Sequence, residues 1–217
     1  LMRRRLLFVR QRGSLLAHGQ ITHHQYNVDP PGKRITYRSN REGLGEGFED
    51  SSVRHSIAAD LALADHYEVT IGELELAVLR QARIHDPNAL ALLTSVPGIG
   101  KVLALTILYE IHDISRFPSV RDFASYSRLV KCERSSAGKS LGSGGNKIGN
   151  AYLKWAFSEA AVLFIAKSEQ GRTVLTRLER KYGKPKALSV LAHKLGRAVY
   201  YMLARKQAFD PQRFATS

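Results

Sequence analysis

The stretch "LLTSVPGIGKVLALTIL", residues 92–108, decides the fold class. Apolar Leu92, Leu93 and Val96 lead into Pro97-Gly98-Ile99-Gly100, and Val102, Leu103 and Leu105 follow. The spacing predicts two short helices, over 89–95 and 101–112, joined by a tight turn in the form of a helix-hairpin-helix. Gly98 and Gly100 are expected to supply positive φ and close backbone approach, with Ile99 plugging the apolar gap between the helices. The N–H groups that open the second helix, next to Lys101, suit a phosphate oxygen. Such a contact positions a protein on DNA without reading its sequence. A tight helix–helix turn with no ligand is the alternative.

Downstream of this turn the pattern stays helical. A short helix is expected over 120–126. Three more follow near 147–168, 172–182 and 185–206, divided by Gly171 and by Gly183-Lys184-Pro185. Upstream, Pro87 in "HDPNA" (85–89) disfavours a helical residue before it and ends a long helix over 52–84, capped by Asp50 or Ser51. Its stripe of Ile57, Leu61, Ala64, Ile71, Leu74 and Val78 is spaced like a heptad. A helical hairpin or an intermolecular coiled coil would bury it, as would a globular core against an ordinary amphipathic helix. Residues 28–50, rich in Pro, Gly and charge, read as a connecting arm. Residues 1–26 read as a basic helix with Leu6, Leu7, Leu15 and Leu16 among Arg3, Arg4, Arg5, Arg10 and Arg12. The chain opens on Leu inside that helical pattern, which suggests a fragment. The expected fold is mainly α: a long helix or coiled-coil segment, then a compact helical domain containing the helix-hairpin-helix.

An excess of fourteen positive charges over 217 residues points to a polyanionic partner, nucleic acid first, with a merely solvated basic face as the alternative. One cysteine, Cys132, excludes an internal disulfide and reads as a small buried filler. The histidines, His23-His24 included, show no metal-ligand spacing. No apolar run reaches the roughly 18 residues of a membrane span, and no secretory signal precedes the arginines. A reducing, cytoplasmic location follows as an expectation.

The segment "ERSSAGKSLGSGGNKIGN", 133–150, sits between two apolar stretches. "GKS" at 138–140 is not a P-loop, because that motif needs Gly where Glu133 stands. Arg134, Lys139, Lys147 and Lys154 surround the serines with positive charge, and Asn146 or Asn150 can cap the following helix. Its residues Ile148, Leu153, Trp155, Ala156, Ala160, Leu163 and Phe164 suggest substantial burial. Glu133 is the one local base for a serine, so the residues alone favour a phosphate-binding loop over a nucleophile. Tyr152, Trp155 and Phe157 read as core more readily than as base-stacking platforms. Tyr200-Tyr201 read as packing residues rather than as a nucleophile. The tail, 207–217, reads as loosely ordered.

"RSNREGLGEGF" (38–48), "LLTSVPGIGKVLALTILYEIHDISRFPSVRDFASYSRLV" (92–130) and "SSAGKSLGSGGNKIGNAYLKWAFSEAAVLF" (135–164) occur in this order. Together they resemble the C-terminal part of transposases of the insertion-sequence family numbered one-hundred-ten, the bridge-RNA-guided DNA recombinases. The resemblance implies that 1–50 is a basic helix and arm following a resolvase-like (RuvC-like) domain with four metal-holding acids. It implies that 51–87 is the coiled coil, 88–206 the transposase domain and 207–217 a tail. It further implies a serine nucleophile on Ser136, with Ser135 the alternative, that attacks a DNA phosphate and then exchanges strands.

Phosphate contacts are expected at Gly98, Gly100, Lys101, Arg134, Lys139, Lys147, Asn150 and Lys154. DNA, a structured guide RNA and a homo-oligomer (dimer or tetramer) through the coiled coil are the implied partners, with no membrane. Mg2+ is expected only through the acidic domain, because Asp60, Asp65, Glu73 and Glu75 lie on the long helix, where solvated or pairing roles are the default. The chain itself binds no cofactor on this reading and would be incomplete alone. A non-catalytic helix-hairpin-helix module and a truncated regulator of a full-length transposase are the competing readings.

Overall fold

The computed structural model describes residues 1–29, 32–130 and 148–216, together with the backbone of 133–136 and 139–143. Among the described residues the chain is mainly α, and it divides into two compact units, Leu1–Val78 and Leu79–Ser217. The division falls inside the long helix rather than near residue 87.

The first unit is built from α1 (Met2–Gln25) and the larger part of α2 (Ser51–His85). They run antiparallel, as cross-links at steadily opposed positions require. Arg5 pairs with Glu75 at 2.7 Å, Arg12 with Glu68 at 3.6 Å and His18 with Asp60 at 2.6 Å. The heptad-like stripe of α2 is therefore covered within the chain as a helical hairpin: Ile57, Ala64, Ile71 and Val78 are buried. Exposed Leu63, Val69 and Leu76 lie off that stripe.

The arm is not a loose connection. Ile35, Leu44 and Phe48 insert into one core with Leu16, Val53, Ile57 and Ala64. Arg41, 5% exposed, locks it. Its guanidinium donates to the Ile35 and Thr36 carbonyls at 2.8 and 3.0 Å, to Glu68 at 3.0 Å, and to Asp65. A buried cation of this kind is tolerable because each of its three nitrogens donates to a carbonyl or carboxylate.

In the second unit α3 (Pro87–Thr94) and α4 (Lys101–Ile111) meet across the Ser95–Gly100 turn. Pro87 takes the first helical position, and Asp86 caps the helix by accepting from Ala89 N–H at 2.8 Å. Helix α4 is buried almost all round, from Leu103 to Leu108 and again at Ile111, so it is the central rod of this unit. Around it stand α5 (Val120–Tyr126), α6 (Ala151–Lys167), α7 (Glu169–Tyr182) and α8 (Lys184–Arg205). Small residues let α6 and α8 pack closely: Ala156, Ala160 and Ala161 on one, Ala187, Ala192 and Gly196 on the other. At Gly196 the packing is close: a Cβ there would lie 2.4 Å from Leu129 Cδ1, so that side chain would have to shift.

Several expectations are corrected. The segment after Cys132 is not all loop, since β1 (Glu133–Ser136) and β2 (Lys139–Ser143) pair as an antiparallel ladder. Self-pairing gives an emerging segment's backbone groups the partners they need. Gly171 does not divide helices but lies in the first turn of α7. The break is at Ser168, whose Oγ accepts from Gly171 N–H at 3.1 Å. Ile148, 75% exposed, precedes α6, and Leu163 is also exposed. The tail carries α9 (Pro211–Thr216), docked by buried Phe214 in an aromatic cluster with Phe164 and Phe209. Tyr200 packs, with its hydroxyl donating to the Phe117 carbonyl at 3.2 Å, and Phe157 is fully buried. No helix among the described residues is long and apolar enough to cross a membrane.

Candidate functional site

The serine segment leaves and re-enters the second unit through a closed stem. Helix α5 ends in a Schellman motif: Leu129 N–H donates to the Ala124 carbonyl at 2.9 Å and Arg128 N–H to the Ser125 carbonyl at 3.0 Å. The left-handed position of this motif usually holds glycine, yet here it is Arg128, at φ 54°. The side chain supplies a reason, because Arg128 Nε donates to the Ile148 carbonyl at 3.1 Å across the base of the segment.

On the returning side Gly149 has φ 97° and lies so close to Tyr126 that a Cβ would sit 2.6 Å from its carbonyl oxygen. Asn150 N–H donates to that same oxygen at 2.6 Å. The segment therefore begins and ends at one point.

Below the stem is a buried polar cluster. Asn150 Oδ1 caps α6 by accepting from Tyr152 and Leu153 N–H at 2.9 and 3.0 Å. Its Nδ2 donates to Glu110 Oε2 at 2.6 Å and stands 3.5 Å from the Tyr126 hydroxyl. Glu110, in the middle of the unit, is 8% exposed. The Tyr109 hydroxyl and Ser127 Oγ are buried with no partner among the described residues, and burial pushes the Tyr109 phenol up.

The segment itself is a short hairpin. Ser136 is the register partner of Lys139 and Ser135 that of Ser140, with a register shift between Glu133 and Ser135. The side chains of Arg134, Ser135, Ser136 and Lys139 lie outside the described residues, as do Cys132 and Lys147 altogether. Among the remaining expected site residues, Lys154 is exposed on α6, whereas Asn150 faces inward with both ends of its amide engaged.

At the Pro97–Gly100 turn, Gly98 has φ 92°, and a Cβ there would lie 2.5 Å from Phe164 N. Ile99 is buried as expected. Gly100 does not take positive φ: it sits at −80°, exposed, as the N-terminal flank of α4. No side chain caps that end, and Lys101 beside it is exposed.

Charge separates the two units. Leu1–Val78 holds ten Lys and Arg against ten Asp and Glu, while Leu79–Ser217 holds twenty-three against nine, so the whole positive excess lies in the second unit. On α8, burial and then Arg197 hold His193 below the usual histidine range. Lys194 is held low by burial, then by Arg177 and Arg197. Ser115 donates to Asp113 from its hydroxyl and its backbone N–H, which lowers that carboxyl.

Glu110, Tyr126 and Arg128 are functional candidates that the sequence reading did not single out. Glu110 carried a usable signal: it is the one acid in the apolar run of α4, and a buried carboxylate demands partners. Arg128 carried none, since its value lies in its backbone conformation and its reach to Ile148.

Residues 90–175 match the model of the transposase IS116/IS110/IS902 family. The chain is similar to the transposase for insertion sequence element IS1111A of Coxiella burnetii (strain RSA 493 / Nine Mile phase I), with 26% identity over 119 residues. That similarity covers 53% of this chain, which spans about 33% of the length of that curated relative. The matched residues include the turn, the stem, the hairpin, α6 and the first half of α7.

Proposed function

We propose, on the premise that this chain belongs to the IS116/IS110/IS902 transposase family through residues 90–175, that it acts on DNA as the serine-bearing part of a recombinase. The observation that carries the reading is the stem. A segment bearing Ser135 and Ser136 is closed at its base by Arg128–Ile148 and Tyr126–Asn150 hydrogen bonds over the Glu110–Asn150 pair. Restricting the base of a segment lowers the entropy cost of aligning a nucleophile.

On this reading Ser136 Oγ attacks the phosphorus of a phosphodiester. The serine O–P bond forms as the P–O3′ bond breaks, and the hydroxyl proton ends on the departing 3′ oxygen. A 3′-hydroxyl from a partner strand then attacks the phosphoserine, restoring a P–O3′ bond and returning the proton to Ser136. Arg134, Lys139 and Lys147 stabilise the charge that develops on phosphate. Gly98, Gly100 and Lys101 hold a backbone phosphate at the open start of α4, and Lys154 adds charge beyond the stem. Ser135 is the rival nucleophile. A structured guide RNA belongs to the same proposal and is supported by the positive excess alone.

No group of three or more His, Cys, Asp or Glu among the described residues could hold a metal ion, Asp65 and Glu75 are ion-paired with Arg41 and Arg5, and Asp60 is hydrogen-bonded to His18. No step above is routed through the metal. A dimer or tetramer through the long helix belongs to the same proposal, although Ile57, Ala64, Ile71 and Val78 are already buried within the single chain.

A second reading, a DNA-binding module without chemistry, is favoured by the α4 terminus, which owes nothing to Ser136. One experiment separates the two. The chain and its Ser136→Ala form are incubated with a labelled duplex of an insertion-element end, the element's non-coding RNA and magnesium. Each is tested with and without a full-length family transposase whose own serine is replaced. A denaturant-resistant protein–DNA band that requires Ser136 supports the nucleophile, and tight binding with no band in any combination leaves only the binding module.

A further inference from the structure

We propose that the solvent face of α7, extended by Lys194 and Arg197 of α8, docks the sugar-phosphate backbone of duplex DNA. This rests on the reading that the chain acts on DNA, and adds a surface beyond the serine segment and the turn.

The face is set by helical spacing. Val174 and Leu178 turn inward, whereas Arg177, Arg180 and Lys181 point outward with Thr173 and Thr176. These five outward residues line a shallow concavity of about 610 Å³. The two acids of α7 do not interrupt the basic group: Glu169 occupies the first turn, where the helix dipole favours a carboxylate, and Glu179 is partly buried.

Arg177 lies close enough to Lys194, and Arg197 to both Lys194 and His193, for their charges to be felt there. Lys194 Nζ also stands 5.4 Å from the Phe214 ring. Packing like charges together costs free energy in the unliganded protein, and a polyanion removes that cost.

The local composition agrees. Residues 151–217 hold thirteen Lys and Arg against four Asp and Glu, nine of the chain's fourteen excess charges.

Gly98 and Gly171 both press against Phe164, at positions where a Cβ would lie 2.5 Å from Phe164 N and 2.7 Å from Phe164 O respectively. The Pro97–Gly100 turn and the first turn of α7 thus pack on one buried residue, Phe164. Contacts from Arg and Lys to phosphate give register and affinity without sequence choice.

The test is fluorescence anisotropy of the whole chain with a labelled 30-base-pair duplex of arbitrary sequence, over a salt series, with a structured RNA hairpin as a second probe. Three variants are compared: Arg177→Gln/Arg180→Gln/Lys181→Gln, the charge-matched Arg10→Gln/Lys33→Gln/Arg34→Gln in the first unit, and Lys101→Gln. Circular dichroism checks that each folds. The α7 triple variant is expected to lose on the order of a hundredfold in duplex affinity near 0.1 M salt and to shallow the log–log salt slope by about 2.7, roughly 0.9 per phosphate contact. The first-unit variant should stay within about twofold, because those positions meet no phosphate on this proposal.

Equal losses in both triple variants would reduce the effect to net charge and overturn the proposal. So would an α7 variant that binds the duplex like the parent. If Lys101→Gln alone weakens duplex binding, the DNA reading stands without this surface. A loss confined to the RNA probe reassigns the face to RNA, and no binding of either probe by the parent chain overturns both the surface and the DNA reading.

Discussion

The two units use the same residue types in opposite ways. In Leu1–Val78 basic and acidic residues are equal in number, and arginines serve as ties: Arg5 to Glu75, Arg12 to Glu68, Arg38 and Arg41 to Asp65. In Leu79–Ser217 cations outnumber acids by fourteen, and the ties are instead glycines, caps and aromatic rings. Charge in the first unit is largely paired with charge, while in the second it is in excess. The basic look of the first helix in sequence is therefore misleading in part, since Arg5 and Arg12 meet the distant carboxylates of Glu75 and Glu68.

The difference is open to direct attack, and the largest effect is expected at a glycine. Gly98→Ala combines positive φ with a clash against the backbone of Leu163 and Phe164. It should destabilise the second unit by about 4 kcal/mol, at the upper end for single substitutions, as read by chemical denaturation. Arg41→Ala should cost the first unit about 3 kcal/mol, since it leaves Asp65 and Glu68 beside an emptied site. Both carboxylates keep some water, which limits the loss. Arg180→Ala, an equal loss of charge in the second unit, should stay within about 0.5 kcal/mol. Similar stability losses at Arg41 and Arg180 would collapse the distinction between the units.

Asn150→Ala should cost about 2 kcal/mol in thermal denaturation, through the lost cap of α6 and the lost buried hydrogen bond to Glu110. Arg128→Gly sharpens the comparison further. Glycine relieves the left-handed backbone at φ 54°, so stability should change by less than about 1 kcal/mol, whereas the lost tie to Ile148 should lower the yield of the covalent adduct. An adduct yield equal to the parent's would show that this tie does not position the serine.

The smallest effect concerns pH. Burial and Arg197 hold folded His193 below its ordinary value, so the unfolded chain takes up the proton first. The stability this histidine contributes is complete above about 6.5 and falls as pH drops through that value towards the folded pKa. The melting temperature should therefore fall less between pH 7 and 5.5 for His193→Gln than for the parent chain.

Much of the helical frame was legible because helices are local. The 3.6-residue spacing of apolar side chains announced α2, α4 and α8, and Pro87 marked the restart between α2 and α3. The short β1–β2 ladder was not legible, because Ser, Gly and Lys carry no strand signature and the pairing itself is the stabilising term. Nor was the role of Gly171: in sequence it looks like a break, and only the approach of Phe164 explains a glycine inside a helix.

By itself, then, the order of residues determined a mainly helical chain with a strong positive excess, a tight glycine turn at 97–100 and a serine segment between apolar stretches. Tertiary structure alone decided which charges cancel, which glycines are compelled, and where the serine segment is anchored. The physical reason is range. Propensity and periodicity act over a few residues, but neutralisation of Arg41, the close approach of Gly98 to Phe164 and the Glu110–Asn150 bond join residues 24 to 66 positions apart, and exist only once the helices have packed.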